Sequence, residues 1–358
     1  MRVLFLQQQP CVRALKYAVG LRSAFAEIRL GFAYQGKTLS EWYGSEDEPF
    51  ERWWHLGSDP VAGLRAAVAE FRPHLIHSHN LPDSLTVVAL ELFDGRLPVV
   101  HDVHDLQSLR RTPYEHGFPE PREPLALERL AVERCSALVA VSEELLEQVR
   151  ARYRVTVPTL AFANYALGRD LPSTLPRAAR PNGRPPRLVY QGTLSTNGGH
   201  YDLRGIFRAI VAEGLPLHIY PSRDVPEYVE LAAGLAGLRV HATLPPARLM
   251  AALPRYDFGW AGFNSALNGA HLDTCLPNKV YEYVGCGLPV LTLGHRALSQ
   301  LVGDGGLGLS LTTFHNLVGQ LSAVDVAALR RRVAAARFDL TVEANIHRLA
   351  EFYEAVAA

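Results

Sequence analysis

Short apolar runs alternate with amphipathic stretches along most of this chain, and no other feature constrains the fold as much. That alternation predicts βα units feeding parallel sheets. In the first half, strands are expected at 2–6, 28–33, 75–79, 99–103, 137–141 and 157–162. Asp59-Pro60 starts a helix to about residue 71, Glu123-Pro124 another to about 134, and Ser142 caps a third. Residues 168–186 are dense in Pro, Arg, Gly and Ser without hydrophobic period, as a linker would be. A second set of strands follows at 188–191, 217–220, 239–242, 258–261 and 290–293. Its helices are expected near 203–212, 226–235, 246–253, 278–284 and 297–302. The economical reading is α/β: two Rossmann-like, doubly wound domains at 1–167 and 187–340, with ligands where strand C-termini face a shared cleft. The stretch 341–358 reads as a final amphipathic helix with no strand after it, expected to return to the first domain.

Composition removes several classes of function. The 358 residues are 48% hydrophobic, enough for two cores, and Lys+Arg balances Asp+Glu at a net charge of zero. No global field draws such a chain onto nucleic acid or anionic lipid. Cys11, Cys135, Cys275 and Cys286 are widely spaced, without metal-type or disulfide patterning, which suits a reducing cytosol. The apolar start is short and has no cleavage site, so a cytoplasmic protein is expected, with at most peripheral contact at the inner membrane face.

The segment from Leu276 to Val290 carries a charge problem. Pro277 suits a first helical position, and Gly287-Leu288-Pro289 ends the helix. Lys279, one of only three lysines with Lys16 and Lys37, then falls in the first turn. There the helix dipole disfavours a cation by roughly 0.3–1 kcal/mol unless an anion shares the site. Glu282 lies one turn on, so one face offers a cation, free N–H groups and a carboxylate, matching phosphate beside ribose hydroxyls. The bland alternative is a solvated Lys–Glu pair.

Together these residues resemble a known family. Pro277-Asn278-Lys279, Tyr281-Glu282-Tyr283 and Gly287-Leu288-Pro289-Val290 resemble the donor-binding signature of family-4 retaining glycosyltransferases with the GT-B fold. His101-Asp102-Val103-His104-Asp105, the strand ending in Ser142, Phe162-Ala163-Asn164, and Val189-Tyr190-Gln191-Gly192-Thr193 followed by Arg204-Gly205 agree in order and spacing. The resemblance implies a nucleotide-sugar donor held by the second domain and an acceptor by the first. It assigns the ribose to Glu282, the diphosphate to Arg204 and Lys279, backbone N–H groups near the phosphates to Gly192 and Thr193, and the donor sugar to His104. Asn278 falls within the same signature.

Some positions depart from that pattern. Many members carry a second glutamate eight residues before the one matching Glu282; here Thr274 stands there, with Asp273 beside it as a possible substitute. Gln7 to Arg13 replace a glycine-rich turn after the first strand. No Asp-x-Asp is present to hold a divalent cation, so a metal-independent enzyme without cofactor is expected. His77 and His79 share a strand face, but without a third clustered ligand they read as satisfied strand-end histidines.

The acceptor is not legible: glycan, lipid-linked and small-molecule acceptors all remain open. Arg110, Arg111 and Tyr114 lie in a polar stretch just after His104 and are expected to border the acceptor site. Trp42, Tyr43, Phe50, Trp53 and Trp54 either line a sugar-stacking surface or pack into the core. Two rival readings share the nucleotide site: a hydrolysing nucleotide-sugar 2-epimerase, and a member that binds nucleotide sugar without turnover.

Overall fold

The computed structural model describes residues 1–36, 49–80, 83–111, 125–175 and 184–358. The start at Glu123-Pro124, the aromatic stretch from Trp42 to Glu48, and Tyr114 lie outside the described residues. The chain divides into two compact units, Met1–Ala163 with Val342–Ala358, and Asn164–Thr341. The described residues of the expected linker therefore belong to the second unit. Leu171 and Leu175 fill the space a side chain at Gly285 and Gly287 would need, so apolar burial fastens this stretch.

The first unit holds a seven-stranded parallel sheet in the order β3-β2-β1-β4-β5-β6-β7. The strands are β1 (Arg2–Gln7), β2 (Arg29–Tyr34), β3 (Arg52–His55), β4 (Leu75–His79), β5 (Val99–Val103), β6 (Ala137–Ala140) and β7 (Thr159–Ala161). Strand order reverses between β1 and β4, the switch point at which doubly wound sheets open a crevice. Register sets Ser78 beside His101 and His79 beside Asp102, so polar residues gather at the C-terminal ends of β4 and β5.

The edge strand β3 had no place in the sequence reading. Trp53 stacks on Phe32 with ring centroids 5.0 Å apart, and Phe50 packs edge-on to Phe5 at 5.4 Å. Phe50 and Trp53 thus take part in the packing of the sheet. The helix Val342–Ala357 lies against helix Val12–Ala24, where a side chain at Gly20 would collide with Val342 and Ile346.

The second unit holds a six-stranded parallel sheet in the order β10-β9-β8-β11-β12-β13. Its strands are β8 (Leu188–Gly192), β9 (Leu217–Pro221), β10 (Leu238–Val240), β11 (Phe258–Trp260), β12 (Val290–Leu293) and β13 (Gly308–Leu311). β13 begins on a glycine and was unread in the sequence. It pairs Gly308 with Val290, whose carbonyl leaves no room for a Cβ. The core joins Leu188, Tyr190, Phe207, Ile219, Tyr228, Phe258 and Trp260. Here the switch point lies between β8 and β11.

Candidate active site

Helix Asn278–Gly285 is placed by one close approach. Gly259 in β11 has no side chain, and a Cβ there would fall inside the Tyr283 ring. Tyr283 therefore presses onto the sheet, and its hydroxyl accepts from the Gln191 N–H at 2.9 Å. Pro277 is extended (φ −72, ψ 150) and precedes the helix instead of beginning it, because that ψ is incompatible with a helical turn. Asn278 is thus the first helical residue and Lys279 the second.

Lys279 is buried at 6% exposure with its Nζ 3.0 Å from the Tyr190 hydroxyl and 4.2 Å from the Tyr190 ring centroid. The Tyr201 and Phe263 rings lie 5.7 Å away. Burial brings the ammonium down from 10.5 to about 7, partly opposed by the Glu282 charge. No carboxylate lies within ion-pair distance of Lys279 among the described residues, so the Lys–Glu pair reading fails. Glu282 instead accepts from the Gln191 side-chain amide.

Gly192 ends β8 with φ +120, a conformation only glycine adopts without strain. A Cβ there would sit 3.5 Å from Lys279 Cε and 3.6 Å from Nζ, so the strand end and the ammonium face each other closely. Thr193 is exposed, and its carbonyl accepts from the Tyr190 hydroxyl. Lys279, Glu282 and Gly192 are therefore brought together, with Tyr190 and Gln191 as additional members. Sequence reasoning named neither role, although both residues stand in the motif preceding Gly192.

Arg204 begins helix Arg204–Ala212 but is already engaged. Its guanidinium grips Asp202 at 2.9 and 2.7 Å and donates to the Thr196 carbonyl at 3.0 Å. It lines a surface depression with Asp202, Gly205, Ile206, Arg208 and Asn264. Thr274 is buried and spends its hydroxyl on the His271 carbonyl at 2.8 Å. Asp273 faces His295 Nδ1 at 3.5 Å and the Arg296 N–H at 3.4 Å. Thr274 thus closes a local turn.

In the first unit the polar cluster is denser. Asp102, fully buried, takes both oxygens to Arg13 Nε at 3.1 and 3.2 Å. It also accepts from His77 Nε2 at 3.2 Å, and His77 Nδ1 meets the Tyr353 hydroxyl. Arg13 Nη2 reaches the Phe162 carbonyl at 2.6 Å. Asp102 is held well below the usual carboxylate range: burial pushes up, and Arg13 and the His77 bond outweigh it.

His104 lies just past β5, 19% exposed, with its N–H on Asn80 Oδ1 at 2.8 Å and Nε2 3.0 Å from His79 Nδ1. Burial takes His104 down to about 4, against the pull of Asp102, so it is neutral at ordinary pH. His101 faces the other side of the sheet, toward Thr86 at 3.1 Å and Asp83 at 3.2 Å. Arg110 is buried against Asp105 at 3.4 Å, and Arg111 is exposed.

One expectation is overturned here. His77 and His79 do have a third ligating neighbour: His77, His79 and Asp102 lie within 4.8 Å of one another, as do Cys11, His79 and His104. Parallel pairing of β4 with β5 delivers Asp102, and the chain after β1 delivers Cys11. In the first set, however, Arg13 and His77 already occupy Asp102. His77 is satisfied, whereas His79 is not, since its buried Nε2 has no partner.

Residues 41–159 match the model of Glycosyltransferase Family 4. No curated protein matches the chain. Sucrose-phosphate synthase (tll1590) from Thermosynechococcus elongatus is similar in structure, with a TM-score of 0.69 at 14% identity, covering 99% of each chain. A glycosyltransferase from Rickettsia africae ESF-5 gives 0.69 at 10% identity over 99% of this chain and 98% of its own. HepE of Anabaena in complex with UDP-glucose gives 0.68 at 16% identity over 99% and 100%.

Proposed function

We propose that this chain, whose fold is GT-B and whose residues 41–159 match the glycosyltransferase family 4 model, is a family-4 enzyme that transfers a sugar from a nucleotide-sugar donor to a hydroxyl acceptor with retention of configuration. The observation that carries this reading is Lys279: a buried ammonium at a strand end and helix start, without a carboxylate within ion-pair distance among the described residues. Burial of an unpaired charge is unfavourable, and an arriving diphosphate supplies the missing anion. In the dry site that pairing stabilises the leaving group as the glycosidic bond breaks. Glu282, which accepts from Gln191, is the residue assigned to the ribose hydroxyls. HepE of Anabaena was solved with UDP-glucose, which supports a uridine nucleotide sugar as the first probe.

In this mechanism the anomeric carbon loses its bond to the diphosphate oxygen and gains one to the acceptor oxygen on the same face. The acceptor proton passes to the departing phosphate. Neutral His104 places the donor sugar, and Arg204 lines a depression of the second unit. Protein cations take the part a metal would otherwise play, and Arg110 and Arg111 border the acceptor. The acceptor is a glycan, a lipid-linked sugar or a small molecule.

A panel of nucleotide sugars, each with and without candidate acceptors, tests this. Transfer predicts nucleoside diphosphate released only when acceptor is present, and a product of unchanged anomeric configuration. Epimer formed without acceptor would establish the 2-epimerase reading, and tight binding without turnover the non-catalytic one. An inverted product would end the retaining mechanism.

A further inference from the structure

We infer that His79 is a positioning residue that fixes the proton of His104 on Nδ1, so that this N–H is offered to the bound donor. Its functional consequence rests on the proposed transfer; the tautomer itself does not.

His79 ends β4 and is fully buried. Its ring stacks on His77 at 4.4 Å and is flanked by Phe5 at 5.4 Å and Tyr17 at 5.9 Å, which leaves it one orientation. In that orientation Nδ1 points at His104 Nε2, 3.0 Å away. Two facing ring nitrogens at that distance share one proton, so one ring donates and the other accepts.

Two observations decide which. Asp102 Oδ2 lies 3.5 Å from His79 Nδ1 but Asp102 Oδ1 lies 3.8 Å from His104 Nε2, and a carboxylate draws the proton toward the nearer nitrogen. His79 Nε2 is buried without a partner. Were the proton on His104, His79 would have to carry its own on that Nε2, leaving an orphaned buried N–H, which folded proteins tolerate less than an orphaned acceptor. His79 therefore donates through Nδ1, His104 Nε2 accepts, and the His104 proton sits on Nδ1. Among the described residues His104 Nδ1 has no partner, and Asn80 fixes the backbone behind it. The consequence is a hydrogen-bond donor aimed out of the cluster from a ring that stays neutral.

The test is nitrogen-15 NMR of the full chain labelled at histidine, which separates protonated from bare ring nitrogens, with His104 assigned through His104→Gln. The unaltered protein is expected to show His104 protonated at Nδ1 and bare at Nε2. His79→Phe keeps the bulk but removes the donor, so His104 should revert toward Nε2–H, while His79→Asn places an amide nitrogen where Nδ1 was and should preserve the tautomer. Loss of one preorganised donor lowers kcat by about 10²-fold, so that drop is expected in His79→Phe with little change in donor KM. His79→Asn should recover most of it. The spectrum of the unaltered protein decides the matter even if His79→Phe fails to fold. Nε2–H at His104 there, an unchanged tautomer in a folded His79→Phe, or stoichiometric zinc bound between the facing nitrogens would each overturn the inference. Absence of sugar transfer would remove the proposed function and leave the tautomer standing.

Discussion

The two units each bury charge at the C-terminal edge of a parallel sheet, and they treat it in opposite ways. In the first, Asp102 is answered by Arg13, by His77 and at longer range by His79, so the cluster is electrically closed before any ligand arrives. In the second, Lys279 has a phenol and aromatic faces but no anion at contact among the described residues. A closed cluster holds geometry; an open one waits for a partner. That difference separates residues whose loss should disturb the fold from those whose loss should disturb binding and turnover.

The strongest way to break the comparison is Asp102→Asn. It leaves Arg13 buried without its counter-charge, and breaking such a pair costs about 3–5 kcal/mol, read as a lower denaturation midpoint. Asp102 is depressed below its ordinary 3.8, so the stability it contributes is complete above that value and is lost as pH falls through the folded pKa. The gap between variant and parent should therefore be full at pH 7 and narrow under acid conditions. A variant as stable as its parent would show that the cluster is not closed by this pair.

Lys279 should behave in reverse. Lys279→Ala is expected to lower turnover by about 10²–10³ while folding survives. Lys279→Met should raise stability on the order of a few kcal/mol at pH 6. The unfolded lysine titrates near 10.5 and the folded one at about 7, so the folded state holds fewer protons between those values. Parent stability then climbs with pH across that window, and the advantage of Lys279→Met fades toward its upper end. Nucleoside diphosphate binding at pH 8 should take up protons, measurable by calorimetry in buffers of differing ionisation enthalpy. Absence of uptake would mean that the ammonium does not meet the phosphates.

Glu282→Gln keeps the volume and exchanges a charged acceptor for an amide. Nucleoside diphosphate binding should weaken by roughly 1–3 kcal/mol. Unchanged affinity would make Glu282 a structural partner of Gln191 only. The smallest effect is expected at Arg204, whose guanidinium is a third exposed and already neutralised by Asp202. Arg204→Ala should reduce turnover about tenfold. A loss as large as that of Lys279→Ala would show that Arg204 leaves Asp202 when donor binds, and would make the second site open at two points.

The strands carried by contiguous apolar runs were legible in the sequence, β12 to the residue at Val290–Leu293, because a parallel strand covered on both faces must be apolar throughout. β3 was hidden, since Arg52-Trp53-Trp54-His55 mixes charge and bulk, and the packing of Trp53 against Phe32 and Tyr34 of β2 is not visible in the local pattern. β13 was hidden for the opposite reason: its glycine is demanded by the carbonyl of Val290, which no local pattern announces. At the site, Lys279 and Glu282 could be named because helix starts concentrate contacts to anions, whereas Gly192 was named only through the family resemblance.

The sequence alone determined the alternation, the two sheets it generates and which short segments end at their functional edge. Those follow from periodicity and local capping, which are properties of neighbouring residues. Tertiary structure alone decided the pairings: that Asp202 holds Arg204, that Glu282 turns to Gln191, that Asp102 is held by Arg13 from the helix after β1, and that His79 faces His104. Each pairing joins residues remote in the chain or chooses among several possible partners. The choice is made by burial, because only after water is excluded does the cost of an unmatched charge or hydrogen bond exceed the entropy of holding one arrangement.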